Sequence, residues 1–366
     1  MTTYLLAGGG TAGHVNPLLA VADRLRDRDP SAVVVVLGTA EGLESRLVPA
    51  RGYELLTIAK VPFPRRPNKA AAAFPARFKR SIDDVRRIIV ERGVDVVVGF
   101  GGYVSTPAYL AARRAGVPVV IHEANARPGL ANRLGARFAL ATGIAFPGTP
   151  LPRAEVVGMP LRREIESLDR AATRAEAAAF FGLDAERPVL LVTGGSLGAR
   201  RINATVRRSA EALVATGWQV LHITGASSEV DDPGLPGYRM VEYVDRMDLA
   251  LALADAAVSR AGAATVSELA ALGIPAVYVP YPVGNGEQRF NAAPVVAAGG
   301  GVLVDDAAFV PAWVDAELVP LLADRVQVAS MSDAAASAGF RDGTARFVAL
   351  VDRAVGGGAR GGAEDA

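Results

Sequence analysis

The sequence predicts a doubly wound α/β fold built from two Rossmann-like halves, on three observations. Short runs rich in Val, Ile and Leu alternate with Ala/Leu/Arg-rich helical stretches along the chain, and runs apolar on both sides suit parallel strands covered by helices on both faces. A strand–glycine–helix opening occurs twice, at LLAGGGTAGHVNP (Leu5–Pro17) and at VLLVTGGSLGARRIN (Val189–Asn203), as two mononucleotide-binding halves require. At 366 residues the chain also exceeds the roughly 250 to 300 residues at which a single core stops growing.

In chain order, strands are expected at Tyr4–Ala7, Val33–Leu37, Val94–Gly99, Val117–His122, Val189–Thr193, Val220–Thr224, Ala256–Ser259 and Ala276–Val279. Each is a short apolar run ended by a turn signal. A Gly and a Pro after a short strand put the division at VVGMPLRRE, Val156–Glu164, so that 1–160 and 161–338 form the two domains. From Thr344 to Val355 a helical stretch carries Phe347, Leu350, Val351 and Ala354 on one face and must pack somewhere. The closing GGGARGGAEDA, 356–366, is expected to be disordered.

Composition narrows the function. Lys and Arg number 39 against 38 Asp and Glu, a net charge of +1, which gives no global attraction to nucleic acid. The absence of cysteine removes disulfides, thiol nucleophiles and thiolate-bound zinc. The start MTTYLLAGGG lacks a basic region and has too short an apolar stretch for a secretory signal. No run reaches the ~18 apolar residues of a membrane span, so a cytoplasmic protein, at most peripheral to a membrane, is expected.

In the first loop, Gly8, Gly10 and Gly13 fit G-x-G-x-x-G between strand and helix, with Pro17 near a first-turn position where its missing N–H costs little. Free N–H groups at such a helix start receive an anion. A dinucleotide enzyme also needs an acid at the end of the second strand to hold the ribose. That strand ends Leu37, Gly38, Thr39, which argues against nicotinamide binding.

The second half offers another backbone cradle. GGSLGAR, Gly194–Arg200, places Ser196 to bond a phosphate oxygen. In SRAGAATVSELAALGIP, Ser259–Pro275, the small residues Ala261–Ala264 let a ligand approach a helix start, and Glu268 lies one turn in. A carboxylate there takes both ribose hydroxyls, or merely complements its own helix dipole. In PYPVGNGEQRFNA, Pro280–Ala292, Gln288 and Asn291 stand one turn apart; amides suit sugar hydroxyls, though such a pair also serves as a helix cap. Together these residues outline a sugar-nucleotide pocket.

These blocks resemble the MurG family, bacterial transferases that add N-acetylglucosamine from UDP-N-acetylglucosamine to lipid I and so make lipid II for peptidoglycan. The resemblance runs from Thr3 to Val355 through GGGTAGHVNP, GFGGYVSTP, IHEANARPGLANR, GGSLGARRIN, SRAGAATVSE and EQRFNA, in that order. It implies the GT-B glycosyltransferase fold, with the active site in an interdomain cleft and a C-terminal helix, 339–355, returning to the N-terminal domain. It implies that Ala263, Ala264, Thr265, Val266, Ser267 and Glu268 hold diphosphate and ribose, that Ser196 and Arg162 take the phosphate side, and that the Val244 backbone in EYVDRM holds uracil. Gln288, helped by Asn291, would contact the N-acetylglucosamine hydroxyls, and Thr11, Ala12, Gly13 and Asn125 would face the same sugar from the N-terminal domain. Ala12 stands where many members have glycine.

The acceptor implied by the resemblance is the C4 hydroxyl of the muramyl sugar of lipid I, and its proton needs a base. Of three histidines, His222 lies inside a strand in VLHITG and reads as structural. His122 ends a strand beside Glu123, either to orient the acid or to cap the sheet. His14 sits at the anion-ready loop, where a neutral imidazole can take a proton, and Glu123 competes with it for that role. Charge developing on UDP would meet the helix start at Ala263–Thr265 and Arg162, so no metal and no cofactor are expected. The only D-x-D, Asp27-Arg28-Asp29, reads as a solvated turn. Direct displacement on an α-linked donor would invert the anomeric carbon. Two alternatives stand: an epimerase of the same fold would convert UDP-N-acetylglucosamine without any lipid, and a nonenzymatic sugar-nucleotide-binding protein at the membrane surface would leave it intact.

From Arg65 to Arg92, nine basic and three acidic residues are interleaved with Phe74, Phe78, Ile82, Val85 and Ile89 at helical spacing. Ile82, Val85 and Ile89 read as a stripe docked on the protein's own sheet. Phe63, Phe74 and Phe78, beside Arg65, Arg66, Lys69, Arg77, Lys79 and Arg80, suit an anionic membrane surface, where each basic residue contributes about 1 kcal/mol. A polyprenyl-linked acceptor requires such a surface, which places the protein at the cytoplasmic face of the plasma membrane.

Overall fold

Four consecutive valines make VVVVLG, Val33–Gly38, a poor helix and a good strand, because two heavy atoms on Cβ restrict χ1 and pack well on a pleated surface. In the computed structural model of the chain this segment is β2 of a seven-stranded sheet. Its other members are β1 (Thr3–Gly8), β3 (Glu54–Thr57), β4 (Val96–Gly101), β5 (Val119–Glu123), β6 (Ala141–Ile144) and β7 (Ala154–Val156). A second sheet contains β8 (Val189–Thr193), β9 (Gln219–Ile223), β10 (Tyr238–Val241), β11 (Ala256–Ser259), β12 (Ala276–Tyr278) and β13 (Gly301–Leu303). The orders are β3-β2-β1-β4-β5-β6-β7 and β10-β9-β8-β11-β12-β13, and every pairing is parallel.

The structure describes residues 1–62, 64, 69–195, 198–226, 228, 230–283 and 286–361, with the side chains of 69, 70 and 357–361 outside that description. Residues 1–162 with 342–366 form one compact unit, and 163–341 form another.

Alternation along the strands sends side chains to two covered faces. In the first unit Leu6 and Val98 join the core under the helices Ala12–Arg28 and Gly343–Gly361. Leu5 and Val97 join the core under the helices Lys69–Glu91 and Ser105–Ala115, where Ile82, Val85 and Ile89 are buried as their spacing predicts. In the second unit Trp218 is fully buried and donates its indole N–H to Leu322 O at 2.7 Å.

All eight expected strands are present, with β4 and β5 each starting two residues later than their apolar runs. The sequence reading does not mark β3, β6, β10 or β13, each of three or four residues. Three of these lie at sheet edges, and β6, ATGI, carries Ala and Gly, which have little β preference. Pro17 is not in the first turn: the helix begins at Ala12 and carries Pro17 inside it. The final helix runs from Gly343 to Gly361, into the segment expected to be disordered from 356, because each further helical residue adds a backbone hydrogen bond once the nucleus exists. Residues 362–366 lie outside the described residues.

Phe347 anchors that helix in the first unit. It is fully buried, meets the Phe100 ring edge-on at 5.8 Å between centroids and the His122 ring at 5.0 Å, and fills space that only glycine leaves open: a Cβ on Gly143 would lie 2.7 Å from its ring. Removing a ring from such a site costs both transfer free energy and a cavity. Phe347→Ala is expected to lower the stability of the first unit by about 3 to 5 kcal/mol in urea denaturation. A loss below about 1 kcal/mol would show that the helix is not part of this core.

Candidate active site

Parallel strands all end at one edge of their sheet, and the loops leaving two neighbours diverge where the strand order reverses. In the first unit that point lies between β1 and β4. The β1 loop reaches the helix Ala12–Arg28 through Thr11, whose extended backbone stands at the N-cap. His14, half-buried in the first turn, has its Nδ1 3.1 Å from Gly9 O and 3.2 Å from Thr11 Oγ1. A carbonyl only accepts, so Nδ1 carries the hydrogen and Nε2 is left as an acceptor. Nε2 has no partner among the described residues, and a Cβ on Gly101 would stand 3.1 Å from it.

The same loop rests on a carboxylate that the sequence reading did not single out. Glu44 begins the helix Glu44–Ala50 and is buried. Its Oε2 accepts from Gly10 N at 2.8 Å, and its Oε1 accepts from Thr39 N at 2.9 Å and Thr39 Oγ1 at 2.8 Å. Burial pushes the Glu44 carboxyl up, but the N–H groups and the Thr39 hydroxyl outweigh it and hold it below its ordinary range. The acid missing from the end of β2 is thus supplied five residues beyond Thr39, and it binds the loop's amide rather than a ribose. The available signal was three glycines, 9, 38 and 42, any of which would overlap Glu44 if given a Cβ.

Glu123 ends β5 and is likewise buried. Its Oε1 accepts from Asn125 N at 2.9 Å and Asn125 Nδ2 at 3.5 Å, and its Oε2 from Gly129 N at 3.0 Å and Asn132 Nδ2 at 2.9 Å. Tyr109, donating to Asn132 Oδ1 at 2.7 Å, extends the network. The adjacent His122 points to the other face of the sheet, donating Nε2–H to Gly158 O at 2.9 Å and meeting the Phe347 ring edge-on. It therefore caps the sheet and does not orient Glu123. Arg162, expected on the phosphate side, is the last residue of the first unit before the chain crosses to the second.

In the second unit the order reverses between β8 and β11. Ser196, in the loop after β8, lies outside the described residues. After β11, Gly262 caps the helix Ala263–Ala271, whose first internal bond is Val266 N to Gly262 O at 2.9 Å. The amides of Ala263, Ala264 and Thr265 precede that bond and are directed out of the helix start. Val266 is fully buried, so it offers no side chain to a ligand; Ser267 and Glu268 are half-buried. Val244, in the loop after β10, and Gln288, in the helix Glu287–Ala297 after β12, belong to the same sheet edge. Gln288 Oε1 accepts from Tyr281 N at 2.9 Å, which leaves its Nε2 group without a partner among the described residues.

Asn291 follows Gln288 by one turn in the same helix. It is fully buried and its Nδ2 donates to Ala261 O at 3.3 Å, because it sits on the inner side of its helix. It braces the loop before Ala263. Arg260 does comparable work after β12: its guanidinium donates to Val279 O at 3.0 Å and Pro280 O at 3.2 Å, and pairs with Asp306 at 2.6 Å.

On the helix Lys69–Glu91, Phe74 and Phe78 stack at 5.3 Å between centroids and are half-buried, while Arg77, Lys79 and Arg80 are exposed. Lys79 pairs with Asp83 at 3.5 Å, and Arg77 donates to Lys60 O at 3.2 Å. Phe63, Arg65 and Arg66 lie outside the described residues. No helix among the described residues is long and apolar enough to cross a membrane. Asp29 of the D-x-D ends its helix and accepts from Ser31 N at 2.9 Å and Ser31 Oγ at 2.6 Å, as a turn should.

Residues 4–144 match the glycosyltransferase family 28 N-terminal domain and residues 189–347 its C-terminal domain. The chain is 69% identical over 351 residues to the UDP-N-acetylglucosamine–N-acetylmuramyl-(pentapeptide) pyrophosphoryl-undecaprenol N-acetylglucosamine transferase of Leifsonia xyli subsp. xyli, covering 96% of this chain and 98% of the relative. It is 52% identical over 355 residues to the protein of the same name from Streptomyces coelicolor, covering 96% and 98%. The solved structure of Acinetobacter baumannii MurG matches with a TM-score of 0.79 at 28% identity, over 96% of this chain and 100% of that one. A UDP-GlcNAc 2-epimerase from Neisseria meningitidis bound to UDP-GlcNAc matches with a TM-score of 0.70 at 15% identity, over 96% and 100%, a likeness of fold alone.

Two of the histidines make stability depend on pH. His222 is fully buried between Tyr238 OH, 2.7 Å from Nδ1, and Asn203 Oδ1, 3.1 Å from Nε2. Burial pushes both His122 and His222 down to about 4. Above the unfolded value of ~6.5 each is neutral folded or unfolded and contributes nothing; below it the unfolded chain binds a proton that the fold refuses, so stability is lost as pH falls towards 4. Both tryptophans, Trp218 and Trp313, lie in the second unit, so their fluorescence reports the unit that holds His222 and not the one that holds His122. Between pH 7 and pH 5.5, His222→Gln is expected to lose about 1 kcal/mol less of second-unit stability than the parent chain. An equal loss in both would mean that His222 is not held neutral.

Proposed function

The chain belongs to glycosyltransferase family 28, in its MurG branch, and we propose that His14 is the general base of the transfer it performs. That transfer moves N-acetylglucosamine from UDP-N-acetylglucosamine to lipid I, giving lipid II. One observation carries the assignment: the hydrogen bond from Nδ1 to Gly9 O fixes the tautomer that leaves Nε2 as a proton acceptor. Glu123 has both oxygens engaged by N–H donors, which favours a role in shaping the Asn125 loop over direct proton transfer.

In this reading the second unit holds the donor. The amides of Ala263, Ala264 and Thr265 receive the diphosphate, with Ser196 and Arg162 on the phosphate side, and Glu268 holds the ribose. The Val244 backbone holds uracil, and the Nε2 group of Gln288 donates to the sugar. Oriented amides at a helix start stabilise the charge that builds on the departing UDP without a metal step. Thr11, Ala12, Gly13 and Asn125 border the sugar from the first unit. The acceptor, the C4 hydroxyl of the muramyl sugar, loses its proton to His14 as it attacks the anomeric carbon from the side opposite UDP, so the configuration inverts. Arg77, Lys79 and Arg80, with Phe63, Phe74 and Phe78, meet anionic lipid at the cytoplasmic face of the plasma membrane, where a polyprenyl-linked acceptor resides.

An asparagine side-chain amide can still donate to Gly9 O from this first-turn position but cannot act as a base at neutral pH. His14→Asn is therefore expected to lower kcat at least about a hundredfold, to leave the KM for UDP-N-acetylglucosamine within a few-fold, and to remove the acidic limb of the pH–rate profile. An acidic limb that survives in His14→Asn and vanishes in Glu123→Gln would give the base role to Glu123.

A further inference from the structure

Gly9 O and Gly10 N belong to one peptide group. Its carbonyl accepts from His14 Nδ1 at 3.1 Å, and its N–H donates to Glu44 Oε2 at 2.8 Å. A trans peptide is planar, with N–H and C=O pointing opposite ways, so fixing the N–H end aims the carbonyl end. The carboxylate is itself held from its other oxygen by Thr39 N and Thr39 Oγ1. The carbonyl end is also closely packed: a Cβ on Gly102 would stand 2.5 Å from Gly9 O, so only glycine at 102 leaves that oxygen its place.

We propose that Glu44 is a positioning residue for the transfer, setting the tautomer and ring orientation of His14 through the Gly9–Gly10 peptide group. A carboxylate that bonds the Nδ1–H of a catalytic imidazole directly performs the same task in hydrolytic triads; here a peptide group stands between the two. The line Glu44 to N–H, C=O to imidazole is a chain of hydrogen bonds in which each member polarises the next. Glu44 is buried and touches no substrate, so its effect must pass through the loop. This inference rests on His14 being the base.

The test uses the full chain and its three histidines. Imidazole ¹⁵N shifts should report the Nδ1–H tautomer for His14 and the Nε2–H tautomer for His122, whose Nε2 faces Gly158 O, so His122 serves as an internal check on the first unit. In Glu44→Ala the His14 signals should move to a mixture of tautomers while those of His122 stay. Turnover should fall at least about tenfold with the donor KM within about twofold, and adding Glu44→Ala to His14→Asn should slow that variant by less than about twofold, since residues acting as one unit are not additive. If Glu44→Ala does not fold, Glu44→Gln, which keeps the side-chain shape and one acceptor oxygen, should show a smaller movement in the same direction.

An unmoved His14 tautomer, or an equal slowing in the presence and absence of His14, overturns the role given to Glu44 while leaving His14 as the base. Full turnover in His14→Asn is a different result: it removes the base assignment, and the proposal for Glu44 falls with it.

Discussion

In a parallel sheet every strand must end at the same edge, because each crossover carries the chain back to the edge where strands begin. Both units depend on that constraint. The loops after β1, β4 and β5 share one edge of the first sheet, and those after β8, β10, β11 and β12 share one edge of the second. At the reversals, β1 beside β4 and β8 beside β11, neighbouring loops part and leave backbone amides uncovered. Glycine and alanine sequences around Gly8–Gly13 and Ala261–Ala264 leave the main chain there unshielded by large side chains, with the Gly10 amide taken by Glu44.

What then distinguishes the two edges is how each loop is held. The first unit uses two buried carboxylates, Glu44 and Glu123, each accepting hydrogen bonds on both oxygens. Burying a charge is costly unless it is hydrogen-bonded on all sides, so a loop that supplies the donors has one favourable position, and catalysis benefits from groups that need no rearrangement. The second unit holds its loops with neutral Asn291 and with the Arg260–Asp306 pair.

The sequence made the two-sheet architecture legible because central parallel strands are written as unbroken β-branched runs, and VVVVLG can hardly be anything else. Short edge strands such as YRMV at β10 carry no such signal, since one side faces solvent and pairing alone defines them. Ordered motifs pointed to His14, Glu123, the Ala263–Glu268 segment and Gln288, and the structure puts each of these, motif by motif, at the edge where loops emerge. It could not reveal that Asn291 faces inward, as two amides one turn apart look alike until a helix face is fixed. Nor could it reveal Glu44, whose partners, the Gly10 amide and the amide and hydroxyl of Thr39, stand just beyond β1 and β2 and come together only in the folded sheet.

In the proposed function a nucleotide diphosphate is received by main-chain N–H groups at the second sheet's edge and not by the glycine loop of the first. Amide hydrogen exchange of the full chain with and without UDP tests it directly, since a hydrogen-bonded amide exchanges slowly and a free one does not. Added UDP should slow exchange at Ala263, Ala264 and Thr265 and near Val244, while leaving Gly8–Gly13 unchanged. Protection centred on Gly8–Gly13, with none at Ala263–Thr265, would contradict the assignment of the donor to the second unit.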